Sequence, residues 1–309
     1  GQWQMWATVF YILGSLLVGA GFCVYCTDLL LGATARHGGL WGALGLRYLF
    51  GRDEEGPPPQ VIAATVVAFD GLVTTVGGST ILMALLGHSI DNGMEIDALW
   101  AKNLTYFYGH TIANLTIYLA AGMLYVLLPR YAGRPWATSK AIVIGWMATL
   151  VFVLTAFSHH LYMDFVQPGW AQYVSMGASS AAAIPVAVVT IYSGVMLMWG
   201  SRFRWTLAST FFYLGFLGWA LGGVAALMDS LIPVNFRLHN TLWVPAHFHT
   251  YLLLGVMLWG LAFVAHLAER SGGRPAPRWA NYVVPGLIVI GGYMFVGSWD
   301  AAGALGVPR

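Results

Sequence analysis

Eight apolar runs, each long enough to cross a bilayer as a helix, constrain this chain more than anything else in it. A hydrocarbon core about 30 Å thick calls for about 20 apolar residues in helix. The runs lie at roughly 6–31, 61–88, 98–128, 141–158, 171–199, 206–230, 243–268 and 280–304. Backbone groups in lipid must be satisfied within their own segment or a closed barrel, and the period-2 alternation of a barrel is absent. The predicted fold is therefore all-α, a polytopic transmembrane bundle, with residues 1–309 forming one membrane domain. Composition agrees: 58% of residues are hydrophobic and 8% charged, against about 25% charged in soluble domains. A net charge of +2, thinly scattered, excludes a nucleic-acid partner. The partner implied is the lipid bilayer.

The charges orient the bundle. The connections 32–60, 129–140, 200–205 and 269–279 carry Arg36, Arg47, Arg52, Arg130, Arg134, Lys140, Arg202, Arg204, Arg270, Arg274 and Arg278, eleven of the fourteen Lys and Arg residues. Only Lys102, Arg237 and Arg309 fall on the other side, so the first set faces the cytoplasm. Pro57, Pro58 and Pro59 predict a stiff turn without helix in the first loop. Cys23 and Cys26 share one helical face and read as packing residues. No cleavable signal pattern is present, and with Gly1 first and Trp6 already in an apolar run, the chain reads as an interior fragment of a longer one.

Six of the nine histidines fall within the outer third of the membrane. His110 lies a few residues into the third span, His159 and His160 end the fourth, His247 and His249 open the seventh, and His239 precedes it. Imidazole is the commonest metal ligand and suits copper and haem iron. A lone intramembrane histidine is more often a packing or proton-relay group, but four segments placing imidazoles at one level point to metal. Three histidines with no Cys or carboxylate nearby favour copper over structural zinc. His247 and His249 differ in kind: two residues along a helix turn through about 200°, so these rings face opposite ways and serve two separate cofactors.

The stretch from His239 and Asn240 through Trp243, Val244 and Pro245 to His247-Phe248-His249 resembles the tenth helix of haem–copper oxidase subunit I, with wording closest to the B-type branch. The resemblance extends to Tyr108-Gly109-His110, to Tyr125 through Arg130, to Ser158-His159-His160 and to Gly306-Val307-Pro308-Arg309, in order along nearly the whole chain. It implies helices four to eleven of such a subunit. It implies copper on His110, His159 and His160, a high-spin haem on His247 and a low-spin haem on His249. His239, Asn240 and Arg309 would lie near haem propionates. The low-spin haem's second ligand normally comes from a second helix that this chain does not contain. Partners implied are a second subunit with a copper or cytochrome c electron-entry site and a c-type cytochrome or similar donor. The location implied is a bacterial or archaeal cytoplasmic membrane, with the metal site toward its outer face.

One departure bears on the substrate. In most oxygen-reducing relatives the residue four after the first copper ligand is a tyrosine joined to a ligating histidine; here it is Asn114. Another branch supplies the tyrosine six residues before the histidine pair, where this chain has Val153. Splitting oxygen takes four electrons at once, one of them from that phenol, whereas coupling two nitric oxide molecules takes two. The reading favoured is nitric oxide reduction to nitrous oxide; the alternative is a B-type cytochrome c oxidase, with Tyr106, Tyr108 or Tyr162 standing in. The resemblance puts Tyr125 and Ser179 on a cytoplasmic proton path that Thr116, Tyr118 and Ser180 join. Asp28 and Asp70 are carboxylates in or near the membrane, Asp70 deep enough for charge to be costly. A proton or metal transporter and a haem-scaffolding factor are rivals that leave the His247/His249 opposition or the histidine pair unexplained.

Overall fold

The computed structural model describes residues 4–91, 93–272 and 276–309; Gly1 and Arg274, both used above, lie outside them. Among the described residues eight helices are long and apolar enough to cross a membrane, as the runs predict. In chain order the helices are α1 (Met5–Arg36), α2 (Leu40–Ala43), α3 (Leu46–Leu49), α4 (Pro59–Ile90), α5 (Ala98–Ala132), α6 (Lys140–Ala156), α7 (Gly169–Met198), α8 (Leu207–Ser230), α9 (Ile232–Leu238), α10 (Trp243–Tyr251), α11 (Met257–Gly272) and α12 (Ala280–Ala304). A 3₁₀ turn, Phe157–Leu161, continues α6, and a π turn, Leu252–Val256, joins α10 to α11.

Local chemistry sets the starts. Asp97 caps α5 by accepting from the Trp100 amide at 2.7 Å. Ser139 caps α6, and Thr206 with Ser209 forms a reciprocal capping box on α8. The triproline is only partly the stiff turn expected. Pro59 opens α4, where its missing N–H costs nothing, and the loop before it holds the helical turns α2 and α3. Arg130, assigned to a connection above, sits in the last turn of α5, which continues past Pro129.

α4 packs between α1 and α5, α6 pairs with α7, and α8 packs on α10, α11 and α12. The connections rich in arginine gather at one end. Thr138 donates to the Pro57 carbonyl at 2.5 Å, Arg134 to those of Trp199 and Gly200, and Arg204 to that of Arg130. At the opposite end Lys102 pairs with Asp164 at 2.6 Å. There too the 306–309 segment docks on the turn before α10, through an isolated bridge between Thr241 and Pro308 and the Leu242 amide bonded to the Val307 carbonyl.

Two close approaches need glycine. A Cβ at Gly218 of α8 would run into the Leu254 carbonyl in the π turn. One at Gly303 of α12 would run into the Trp243 backbone. Small residues at such crossings let membrane helices approach backbone to backbone, and here they fix the rotation of α10. Cys26 is fully buried, with its sulfur against Gly71 of α4, in keeping with a packing role.

Candidate metal centre

α5 carries His110, and the 3₁₀ turn after α6 carries His159 and His160. His159 and His160 are neighbours in that turn, and their side chains bend toward each other and toward His110. The three rings converge: centroids lie 4.7 Å apart for His110 and His159, 4.9 Å for His110 and His160, and 4.4 Å for His159 and His160. One ring nitrogen from each falls within 4.8 Å of the others. Among the described residues no carboxylate or thiol joins this cluster. Ser179 of α7 meets Nδ1 of His159 at 3.0 Å, held in place by its own donation to the Ser175 carbonyl.

The trio opens onto a cavity of about 450 Å³, within the range of ligand and cofactor pockets, roughly 300–1,000 Å³. His247 of α10 lines it, together with Tyr118, Tyr251 and Arg309. His249 is not part of that wall. Its ring lies 5.1 Å from Trp299 and 6.3 Å from Phe295, both on α12, and its Nδ1 is 2.7 Å from the Pro245 carbonyl. The two imidazoles therefore face opposite sides of α10. This donor chemistry fits the metals the sequence points to: three clustered imidazoles for copper, and one imidazole on either side for iron.

His239 sits between α9 and α10. Burial and the Arg309 charge pull its ring below the usual histidine range, so it is a neutral group beside a cation. Asn240 takes a left-handed backbone conformation with φ 60°, and its side-chain oxygen accepts from the Arg309 guanidinium at 3.2 Å. The Thr241–Pro308 bridge, between segments distant in the chain, closes this arrangement.

Asn114 places its amide nitrogen 3.4 Å from both ring nitrogens of His110, and Val153 is fully buried. Of the three tyrosines weighed as substitutes, Tyr108 packs on Gly78 of α4, on the side of α5 away from the trio. Tyr162 is buried in the turn after His160 and donates to the Ser230 carbonyl at 2.9 Å; burial pushes its phenol upward, so it stays protonated. Tyr106 stacks on His160 with centroids 5.0 Å apart, a contact that its position one turn outward did not reveal.

The residues assigned to a proton path are not directly joined. Ser179 lies at the level of the trio, while the Tyr125 hydroxyl bonds Thr190 at 2.6 Å, eleven residues along α7, and accepts from Trp146 at 3.3 Å. Thr116 donates to the Ile112 carbonyl of its own helix. Asp28 is exposed, whereas Asp70 is fully buried with neither carboxylate oxygen partnered.

The model of the family described as Cytochrome C and Quinol oxidase polypeptide I matches residues 2–309. Cytochrome c oxidase polypeptide 1 of Halobacterium salinarum is 26% identical over 223 residues, 69% of this chain and 37% of that protein. Cytochrome c oxidase subunit 1 of Thermus thermophilus is 26% identical over 231 residues, 69% of this chain and 41% of that one. A solved haem–copper terminal oxidase dimer superposes with a TM-score of 0.72 at 21% identity, covering 82% of this chain and 48% of its own. The chain thus spans about two fifths of the length of the curated relatives it matches.

Proposed function

Because this chain belongs to the cytochrome c and quinol oxidase polypeptide I family, we propose that it is the metal-holding membrane domain of a respiratory haem–copper oxidoreductase whose substrate is nitric oxide. It is an integral membrane protein of a family that binds haem and copper. In this reading His110, His159 and His160 hold copper, His247 holds a high-spin haem and His249 a low-spin haem. His239, Asn240 and Arg309 meet the propionates at the outer face. A partner subunit and a c-type cytochrome deliver the electrons, and the complex lies in a bacterial or archaeal cytoplasmic membrane.

When bound, the haem iron and copper supply the two electrons that, with two protons, convert two nitric oxide molecules to nitrous oxide and water. The protein's own task is placement. Three rings from two chain segments fix one corner of the cavity, and α10 presents His247 from the opposite side. The substrate, small and weakly polar, needs only the space between them. Ser179 orients His159 through Nδ1, leaving the other nitrogen for metal. The Asn114 amide lies against His110 and has no phenolic hydrogen to give. Protons from the cytoplasm have Tyr125 and Thr190 as a hydroxyl pair below the cavity, with Tyr118 and Ser179 at its wall.

The observation that carries the choice of nitric oxide is the residue at each of the two positions from which oxygen-reducing members of the family present a phenol: Asn114 in the cavity wall and Val153, buried outside it. One contact favours oxygen instead, the stacking of Tyr106 on His160, which brings a phenol ring beside a ligand. Turnover of the purified complete complex with nitric oxide and with oxygen, from one donor, separates the two. Fast nitric oxide consumption, unaffected by Tyr106→Phe, is the expected result. Fast oxygen uptake that Tyr106→Phe abolishes, with negligible nitric oxide consumption, establishes the oxidase reading.

A further inference from the structure

Asp229 lies in the last turn of α8, beside His247. Its Oδ2 lies 3.7 Å from Nδ1 of His247, with the two side chains 2% and 13% exposed. Neither Asp229 Oδ1 nor His247 Nδ1 has a hydrogen-bond partner among the described residues. A buried carboxylate left unpaired is costly, and a buried ring N–H likewise demands an acceptor. Asn235 donates to the Asp229 backbone carbonyl at 2.9 Å and so holds the end of α8 in place.

His249 provides the contrast. Its Nδ1 faces a neutral peptide carbonyl, that of Pro245, one turn back in the same helix. Peptide groups of the helix's own first turn, those of Trp243 and Val244, lie near the His247 ring as well, but only His247 has a carboxylate beside its Nδ1. A carboxylate behind a ligating imidazole fixes its tautomer and makes the ring a stronger electron donor.

We propose that Asp229 is the positioning residue of His247: it accepts the Nδ1 hydrogen, leaves Nε2 for iron, and gives this ligand an anionic character that His249 lacks. The sequence offers no sign of this, because Asp229 lies eighteen residues before His247 and on another helix. The inference rests on the reading of His247 as an iron ligand, and its consequence is that the two irons differ in affinity for electrons through their ligands' partners.

The test uses the complete membrane complex carrying Asp229→Asn, Asp229→Glu or His247→Gly, read by resonance Raman and redox titration of the high-spin haem. Asp229→Asn is expected to move the iron–histidine stretch to lower frequency and raise the high-spin midpoint potential. The low-spin haem is to stay unchanged and turnover to fall about 10–100-fold. Asp229→Glu is expected to restore most of the stretch. An Asp229→Asn complex with unmoved stretch and potential overturns the proposal. If Asp229→Asn assembles without high-spin haem, Asp229→Glu decides: a normal stretch supports positioning, and loss of haem in both overturns it in favour of packing. His247→Gly reads the underlying assignment separately. Its high-spin iron–histidine band is expected to vanish, and persistence would overturn the ligand reading itself rather than the role of Asp229 alone.

Discussion

The two faces of α10 carry the same side chain and build different surroundings for it. His247 looks into a cavity closed by α5, the turn after α6, α7 and α8, with a buried carboxylate behind its ring. His249 looks at two aromatic rings of α12 and is backed by a carbonyl of its own helix. One residue of spacing, about 200° of rotation, separates a converging polar site from a flat aromatic one. A pair at i,i+4 would have placed both rings on one face and made a single site. The difference shows how a helix serves two cofactors without mixing their chemistry.

The largest effects separate the faces directly. In the complete complex, His247→Gly is expected to erase the high-spin haem spectrum and leave the low-spin bands, and His249→Gly to do the reverse. Both bring turnover to background. A variant that erased both spectra at once would mean the faces are one site. His110→Ala is next: copper analysis of the purified complex is expected to drop by one ion per subunit with both haems retained.

Subtler changes ask how the rotation of α10 is held. Gly218→Ala puts a methyl against the Leu254 carbonyl and is expected to cost about 1–3 kcal/mol, visible as earlier thermal loss of the haem spectra. Unchanged thermal stability would show that the π turn, and not the glycine, sets the approach. Ser179→Ala removes the 3.0 Å contact to His159 Nδ1 and is expected to weaken copper retention about tenfold, the lower end for such orienting groups. Chelator titration measures it. Smallest is Lys102→Met, which breaks the partly exposed pair with Asp164 and is expected to change stability by about 0–1 kcal/mol. A larger loss would give the outer end of the bundle a structural weight that its exposure does not predict.

The membrane helices, their order and the opposition of His247 and His249 were legible in the sequence because they depend on hydropathy and on helix periodicity, which act along the chain. The same local logic indicated that His110, His159 and His160 share a depth. It did not reach what neighbours in space decide. For Ser179 and Tyr125 it gave places but no partners: the first meets Nδ1 of His159 and the second bonds Thr190. The stacking of Tyr106 on His160 was likewise not legible, because it joins rings from two separate segments. Asp229 drew no notice, since a lone acid at a helix end is ordinary until a second helix supplies its partner.

Sequence by itself determined that this chain lies in lipid, spans it eight times and carries imidazoles of two orientations, since solvent and helical pitch leave few other outcomes. Tertiary structure alone decided which groups stand behind those imidazoles. The carboxylate of α8 reaches His247, and the 306–309 segment reaches Asn240, through contacts between segments distant in the chain. Such contacts depend on how closely helix backbones pack, and at Gly218 and Gly303 that closeness depends on the absence of a single carbon atom.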